Sequence, residues 1–299
     1  MALRFPILCG TLLSLGLTST LAQANPYDIS LRGLGGPTKN TSGQLVPDAA
    51  TVKRFRSLAS ELTIAIMPKP MEPAETLGVS GFDFAAGNTF TAIHSGSDYW
   101  QGQPGMPVME GTLPNHGNHN VPNELWTPSV QFRKGLPFST EVGVSAGYLA
   151  FTNMYMLSAE AKVAIYESFF HYFPAIGLRA AVGRLFGSNE LDVTTAEADI
   201  LASLAFGIGG MIQATVYGGY GQLYTQINSS VLNATPYSAT PTYYAFPTIG
   251  WSDNMMPRAV GGIRLNISPI ELMYEADWTF MPFLKTQLLS HTVKIGFDV

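Results

Sequence analysis

Charge is scarce in this chain: Asp, Glu, Lys and Arg make up 12% of its 299 residues, about half the usual share for a soluble protein. The balance is mildly acidic, with a net charge of −5, and offers no basic surface for nucleic acid. There is a single cysteine, Cys9, which excludes an internal disulfide. A spanning helix is also missing. The stretch from Ile200 to Ser252 carries no Asp, Glu, Lys or Arg, but Gly207, Gly209, Gly210, Gly218, Gly219 and Gly221 break it up, and Gln213, Gln222 and Gln226 are awkward in lipid.

What the chain does have is 46% hydrophobic residues, 30 glycines and 11% aromatics. Residues Met1 to Ala24 read as a secretory signal. Arg4 supplies the positive start, Ile7 to Leu17 the apolar core, and Ala22-Gln23-Ala24 the small residues before a cut ahead of Asn25. Cys9 falls inside this segment, preceded by Leu8, which does not fit a lipoprotein signal. Cleavage leaves a chain without cysteine, so thiol chemistry is excluded. An exported chain with membrane-like composition and no spanning helix points to a closed barrel, because lipid supplies no water to satisfy an open sheet edge.

The pattern along the chain supports this. From Phe138 to Ser168 two long strands are joined by a turn at Thr152-Asn153. Phe138, Val142, Val144, Ala146, Tyr148 and Ala150 share one parity of the first strand, and Tyr155, Leu157, Ala159, Ala161, Val163 and Ile165 one face of the second. Successive side chains on a strand point to opposite faces, so each strand has an oily and a polar side. Both strands are long enough for the roughly 9–11 tilted residues that cross a bilayer. Further alternating segments follow: Glu124–Arg133, Ala175–Phe186, Leu191–Phe206, Gly210–Asn228, Pro257–Ile267, Ile270–Phe280 and Leu289–Val299. Upstream, Tyr27–Leu34, Leu62–Met67 and Thr76–Ala86 alternate more weakly. Asp48–Leu58 reads as a helix capped by Asp48, with Val52, Phe55, Leu58 and Ala59 at helical spacing.

Taken together, these segments resemble a Gram-negative outer-membrane β-barrel protein. The last strand has the amphipathic pattern of that class, although the chain ends on Val299, with Phe297 two residues earlier. The resemblance is to the class and names no family within it. It implies a single barrel domain over residues 25–299, contact with outer-membrane lipid, and insertion by the barrel-assembly machinery. Barrels of this class place short turns in the periplasm and long loops outside. Counting back from a periplasmic C-terminus puts both long loops, Gly87–Asn123 and Ser229–Met256, on the outer side. Nine strands from Glu124 onward plus the three weaker segments make twelve antiparallel strands; keeping only Thr76–Ala86 of the three makes ten.

The polar parity then faces the lumen. The candidate lining residues are Glu160, Lys162, Arg179, Glu197, Asp199, Arg264, Glu271, Glu275, Asp277 and Lys294, with Glu141 and Asp298 on the same parity. They describe either an acid-rich, cation-favouring pore or a set of ion pairs filling a narrow barrel. The expected function is passive transport through a narrow channel or gated pore. The alternative is a closed structural or surface-interaction barrel working through its long loops, followed by a lipid-modifying enzyme. No cofactor or metal is expected: His116 and His119 sit at a poor ligand spacing in a polar loop. No enzymatic site is expected either. His94-Ser95 and Ser290-His291 invite comparison with outer-membrane lipid hydrolases, but neither pair lies in a motif.

Overall fold

In a computed structural model, residues 28–102, 108–109, 121–167, 173–208, 212–235 and 239–298 are described. The expected signal segment, His116 and His119 lie outside them. Ten long strands form a closed antiparallel barrel. They are β1 (Phe82–Ala92), β2 (Glu124–Leu136), β3 (Thr140–Tyr148), β4 (Tyr155–Tyr166) and β5 (Ala175–Phe186), then β6 (Leu191–Ile208), β7 (Ile212–Ser229), β8 (Met255–Ile267), β9 (Ile270–Met281) and β10 (Thr286–Asp298). Each strand pairs with its neighbours in sequence, and β10 closes onto β1 from Ser290 opposite Thr91 to Asp298 opposite Asp83. Closure leaves no strand edge unpaired.

The count is therefore ten, the alternative above, and not twelve. Leu62–Met67 is not a strand: it lies at the end of α1 (Ala49–Ile66). Tyr27–Leu34 contributes a 3-10 turn at Leu31–Leu34. The helix expected over Asp48–Leu58 is correct at its start, where the Asp48 carboxylate accepts from the Thr51 N–H at 2.7 Å. That bond, first of all, draws the Asp48 pKa below its ordinary value. The helix continues because Phe55, Leu58, Ala59, Leu62, Ala65 and Ile66 form one continuous helical stripe in a single apolar cluster. Ile64 lies off the stripe yet is also buried, against Met67, Leu223, Met256, Met281 and Leu288. A helix buried all round shows Leu62, Ile64 and Ile66 as apolar alternation, which is why it mimics a strand. Met67, extended at ψ 146, precedes Pro68 and ends it.

The first barrel strand also starts later than expected, at Phe82 and not at Thr76, and takes in Gly87–Ala92 from the predicted loop. Phe138 lies in the β2–β3 turn at φ +65 and is almost wholly exposed, so it leaves the strand face assigned to it.

The outer wall is apolar. Phe84, Val144, Ile165, Val182, Ile200, Ile263 and Ile295 are exposed along it. Aromatic rings gather towards its two ends. Phe82, Phe84, Phe132 and Phe297 lie near the short turns. Stacked Phe90–Trp126 and Tyr155–Phe186 pairs, with Trp278 and Phe280, lie near the long loops. This is the lipid-facing band with two aromatic girdles of an outer-membrane barrel.

At the long-loop end the chain folds into a cap with its own core. Ile29, Leu31 and Leu34 from the N-terminal segment meet Trp100, Leu149, Met154 and Ile249 from the loops. Phe55 of α1 stacks on Phe246 at 4.4 Å between centroids. Two short ribbons, Thr38–Lys39 with Leu45–Val46 and Leu232–Asn233 with Tyr243–Tyr244, stiffen this cap.

Candidate functional site

The lumen is occupied by the chain's own N-terminal part. The second half of α1 enters from the cap side, and an extended strap, residues 67–81, continues to the short-turn end, where β1 begins. The last carbonyls of a helix lack partners within it. Here Lys69 Nζ donates to Ile64 O at 3.1 Å, and Thr127 Oγ1 donates to Ala65 O at 3.2 Å. Beside the helix end, Ala65, Lys69, Thr127 and Ser158 line a space of about 30 Å3, room for about one water.

The wall meets the strap with paired charge. On β2, Arg133 binds Glu72 of the strap, Asp83 and Glu141. On β4, Lys162 reaches Glu72 at 2.7 Å and Glu141 at 3.4 Å. On β5, Arg179 holds Glu160 at 2.7 Å, Asp199 at 2.8 Å, Glu197 at 3.1 Å and Glu72 at 3.5 Å. Arg258 on β8 reaches Asp199, Glu197 and Asp277. Lys294 on β10 reaches Glu271 at 2.7 Å and Asp83 at 3.1 Å. Arg264, near the short-turn end, lies 3.8 Å from Glu271 and 3.9 Å from Glu75. Glu275 accepts from the Tyr217 hydroxyl at 2.8 Å and from the Met71 N–H at 2.9 Å. Isolated buried ions cost several kcal/mol each; here each arginine faces several carboxylates.

The strap's backbone is held by the same wall. Ala74 N donates to Ser203 Oγ at 3.1 Å, and Leu77 N donates to Glu141 at 3.1 Å. Met71 O accepts from Lys294 and Pro73 O from Lys162, both at 3.2 Å. Two glycines make room for these contacts. A Cβ on Gly221 would sit 1.8 Å from Asp199 Oδ1, blocking the carboxylate from Arg258. One on Gly135 would sit 1.8 Å from Gly78 O, where the strap turns at φ +73.

All ten candidate lining residues face inward and are buried or nearly so, Glu160 being among the more open. They are joined in ion pairs or hydrogen bonds. Arg258, Asp83 and Arg133 are not among the ten lining residues predicted above. Strand parity could have found all three. Glu72 and Lys69 sit outside any strand, so no parity marked them.

A second polar group lies where α1 meets the cap. Glu61 is fully buried. Its Oε1 accepts from His94 Nδ1 and from the Tyr99 hydroxyl, both at 2.6 Å. Its Oε2 accepts from Trp100 Nε1 at 2.7 Å and from the His94 N–H at 3.2 Å. Burial, with the bond to Glu61, raises the Tyr99 pKa well above its ordinary value. His94 Nε2 lies 3.3 Å from Thr286 Oγ1. Ser95 turns away to Asn123, at 2.6 Å. Ser290 and His291 point to opposite sides of β10. Ser290 faces the lumen and bonds Thr91 and Lys69, whereas His291 stands on the lipid face, 2.6 Å from the Tyr274 hydroxyl.

No family model and no curated protein matches this chain. Solved structures match it at low identity and low structural similarity. Ail, the attachment invasion locus protein of Yersinia pestis, is 8% identical over 74% of this chain and 99% of that one, with a TM-score of 0.28. Neisserial surface protein A is 8% identical over 73% and 96%, with a TM-score of 0.28. LpxR of Salmonella typhimurium is 9% identical over 73% and 99%, with a TM-score of 0.34. On the strength of its own closed barrel and lipid-facing belt, this chain is an outer-membrane-type β-barrel protein.

Proposed function

We propose that the protein is a closed barrel that works at the cell surface, as a structural or interaction protein whose contacts are made by its folded cap. The observation that carries this reading is the occupied lumen. Residues 67–77 run down the barrel with their charges and several backbone groups taken up by the wall, which supports a closed lumen. The cap supports it too. Its core joins the N-terminal segment to several loops, and loops held on a scaffold commonly carry binding.

A gated pore is the second reading. It is favoured by the polar nature of the strap's contacts, since ion pairs and hydrogen bonds can be exchanged for water if the strap withdraws. Planar-bilayer recording of the full-length refolded protein separates the two. The closed-barrel reading predicts a flat baseline at moderate voltage across many insertions. Stable, stepwise openings from the intact chain favour the pore.

A further inference from the structure

We propose that the outer mouth carries an acyl-transfer site, with Thr286 as nucleophile, His94 as its general base and Glu61 positioning the imidazole. Its substrate would be a carboxylic ester arriving from outside the cell. Three separate elements bring these groups together: Glu61 from α1, His94 from the segment after β1, and Thr286 from the first position of β10. They stand in the order carboxylate, imidazole, hydroxyl. Glu61 Oε1 lies 2.6 Å from His94 Nδ1, and His94 Nε2 lies 3.3 Å from Thr286 Oγ1. This is the connectivity by which a buried acid orients a base and the base activates a hydroxyl.

Several features point beyond a latch between helix and cap. Glu61 cannot swing, because the Tyr99 hydroxyl, the Trp100 indole and the His94 N–H hold it from other directions. All of these are donors, so Glu61 is used throughout as an acceptor. The tautomer carrying its proton on Nδ1 donates to Glu61 and leaves the Nε2 lone pair facing the Thr286 hydroxyl. The His94 side chain is 40% exposed, whereas that of Glu61 has no exposed surface. Water and solutes therefore reach the imidazole from the outer side, while its acid partner stays dry.

The chemistry balances without a cofactor. Thr286 Oγ1 attacks the ester carbonyl carbon, and its proton passes to His94 Nε2. The ester C–O bond breaks, and the departing alkoxide takes that proton as it leaves as an alcohol. Water then attacks the acyl-Thr286 ester, giving its proton to Nε2. The carboxylic acid departs as Thr286 Oγ1 recovers the proton. This proposal does not depend on whether the lumen is open or closed.

The test uses the refolded full-length protein, p-nitrophenyl acetate and a fluorophosphonate probe. Folding of each variant is checked by its heat-dependent gel mobility. Wild-type protein is expected to release p-nitrophenol faster than its boiled sample and to carry the phosphonate adduct on the peptide containing Thr286. Thr286→Val and His94→Ala are expected to lower the rate about 100-fold or more, Thr286→Ser to retain it, and Ser95→Ala to match wild type. The proposal is overturned if wild type is no faster than the boiled sample, if folded Thr286→Val keeps the wild-type rate, or if the adduct maps to Ser95.

Discussion

Arg179→Leu is expected to destabilise the folded barrel by about 3–5 kcal/mol, the usual effect of removing one partner from a buried charge group. Arg179 lies within 3.5 Å of Glu72, Glu160, Glu197 and Asp199, and its side chain has no exposed surface. Leucine fills part of the space but supplies no donor. Arg258 still covers Glu197 and Asp199, and Lys162 still covers Glu72. Among the described residues, Glu160 keeps the Gln131 amide, at 2.7 Å. The measurement is denaturant unfolding in detergent micelles, followed by tryptophan emission. A useful contrast is Arg184→Leu. Arg184 pairs with Asp192 on the outside, with both side chains about half exposed, and its loss should cost no more than about 1 kcal/mol. Equal effects for the two substitutions would mean that the inner charges are hydrated and not packed.

Starting the mature chain at Leu77 is expected to turn a silent barrel into a conducting one. The truncation removes α1 and strap residues 67–76, yet keeps all ten strands and the β10–β1 closure. The wall then loses Glu72, the shared counter-charge of Arg133, Lys162 and Arg179. Those cations must take up water or the remaining wall carboxylates, and a hydrated, charge-lined lumen passes ions. Carboxylates still outnumber cations on the wall, so the current is expected to favour cations. Bilayer recording with a salt gradient gives both the step size and the sign of the reversal potential. If folded, truncated barrels insert and stay silent, the strap is not what closes the lumen.

The barrel wall was legible in the sequence, and its contents were not, for one physical reason. A wall strand has lipid on one side and charge on the other, so its period of two is plain in β4, β5 and β9. The same parity puts Glu197, Glu271 and Lys294 on the charged side, and all three are buried. The plug has no lipid side. From Leu58 to Ile66 it is buried in every direction, so Ile64 and the polar Ser60, Glu61 and Thr63 are buried beside the apolar stripe and blur its helical period. β1 hid for a related reason. Gly87 and Asn88 look like loop residues, yet Gly87 faces the strap, where a Cβ would lie 3.4 Å from Met71 Sδ, and Asn88 accepts from the Trp126 indole on the outer face. The mouth group was half visible. His94 drew notice, but Glu61 and Thr286 come to it from far along the chain, 33 and 192 residues away, and no local spacing records such a meeting.

The filled lumen is tested most directly by a single thiol in the strap. The sole cysteine of the chain, Cys9, lies in the expected signal segment, so a mature chain carrying Ala74→Cys would have one thiol. Ala74 is fully buried against Ala175, Leu201 and Val260. In the folded barrel in micelles, this thiol is predicted to resist a water-soluble maleimide and to react only on unfolding, while Ser42→Cys on the exposed cap turn reacts at once. Labelling of the folded Ala74→Cys protein as fast as the Ser42→Cys protein would contradict the account.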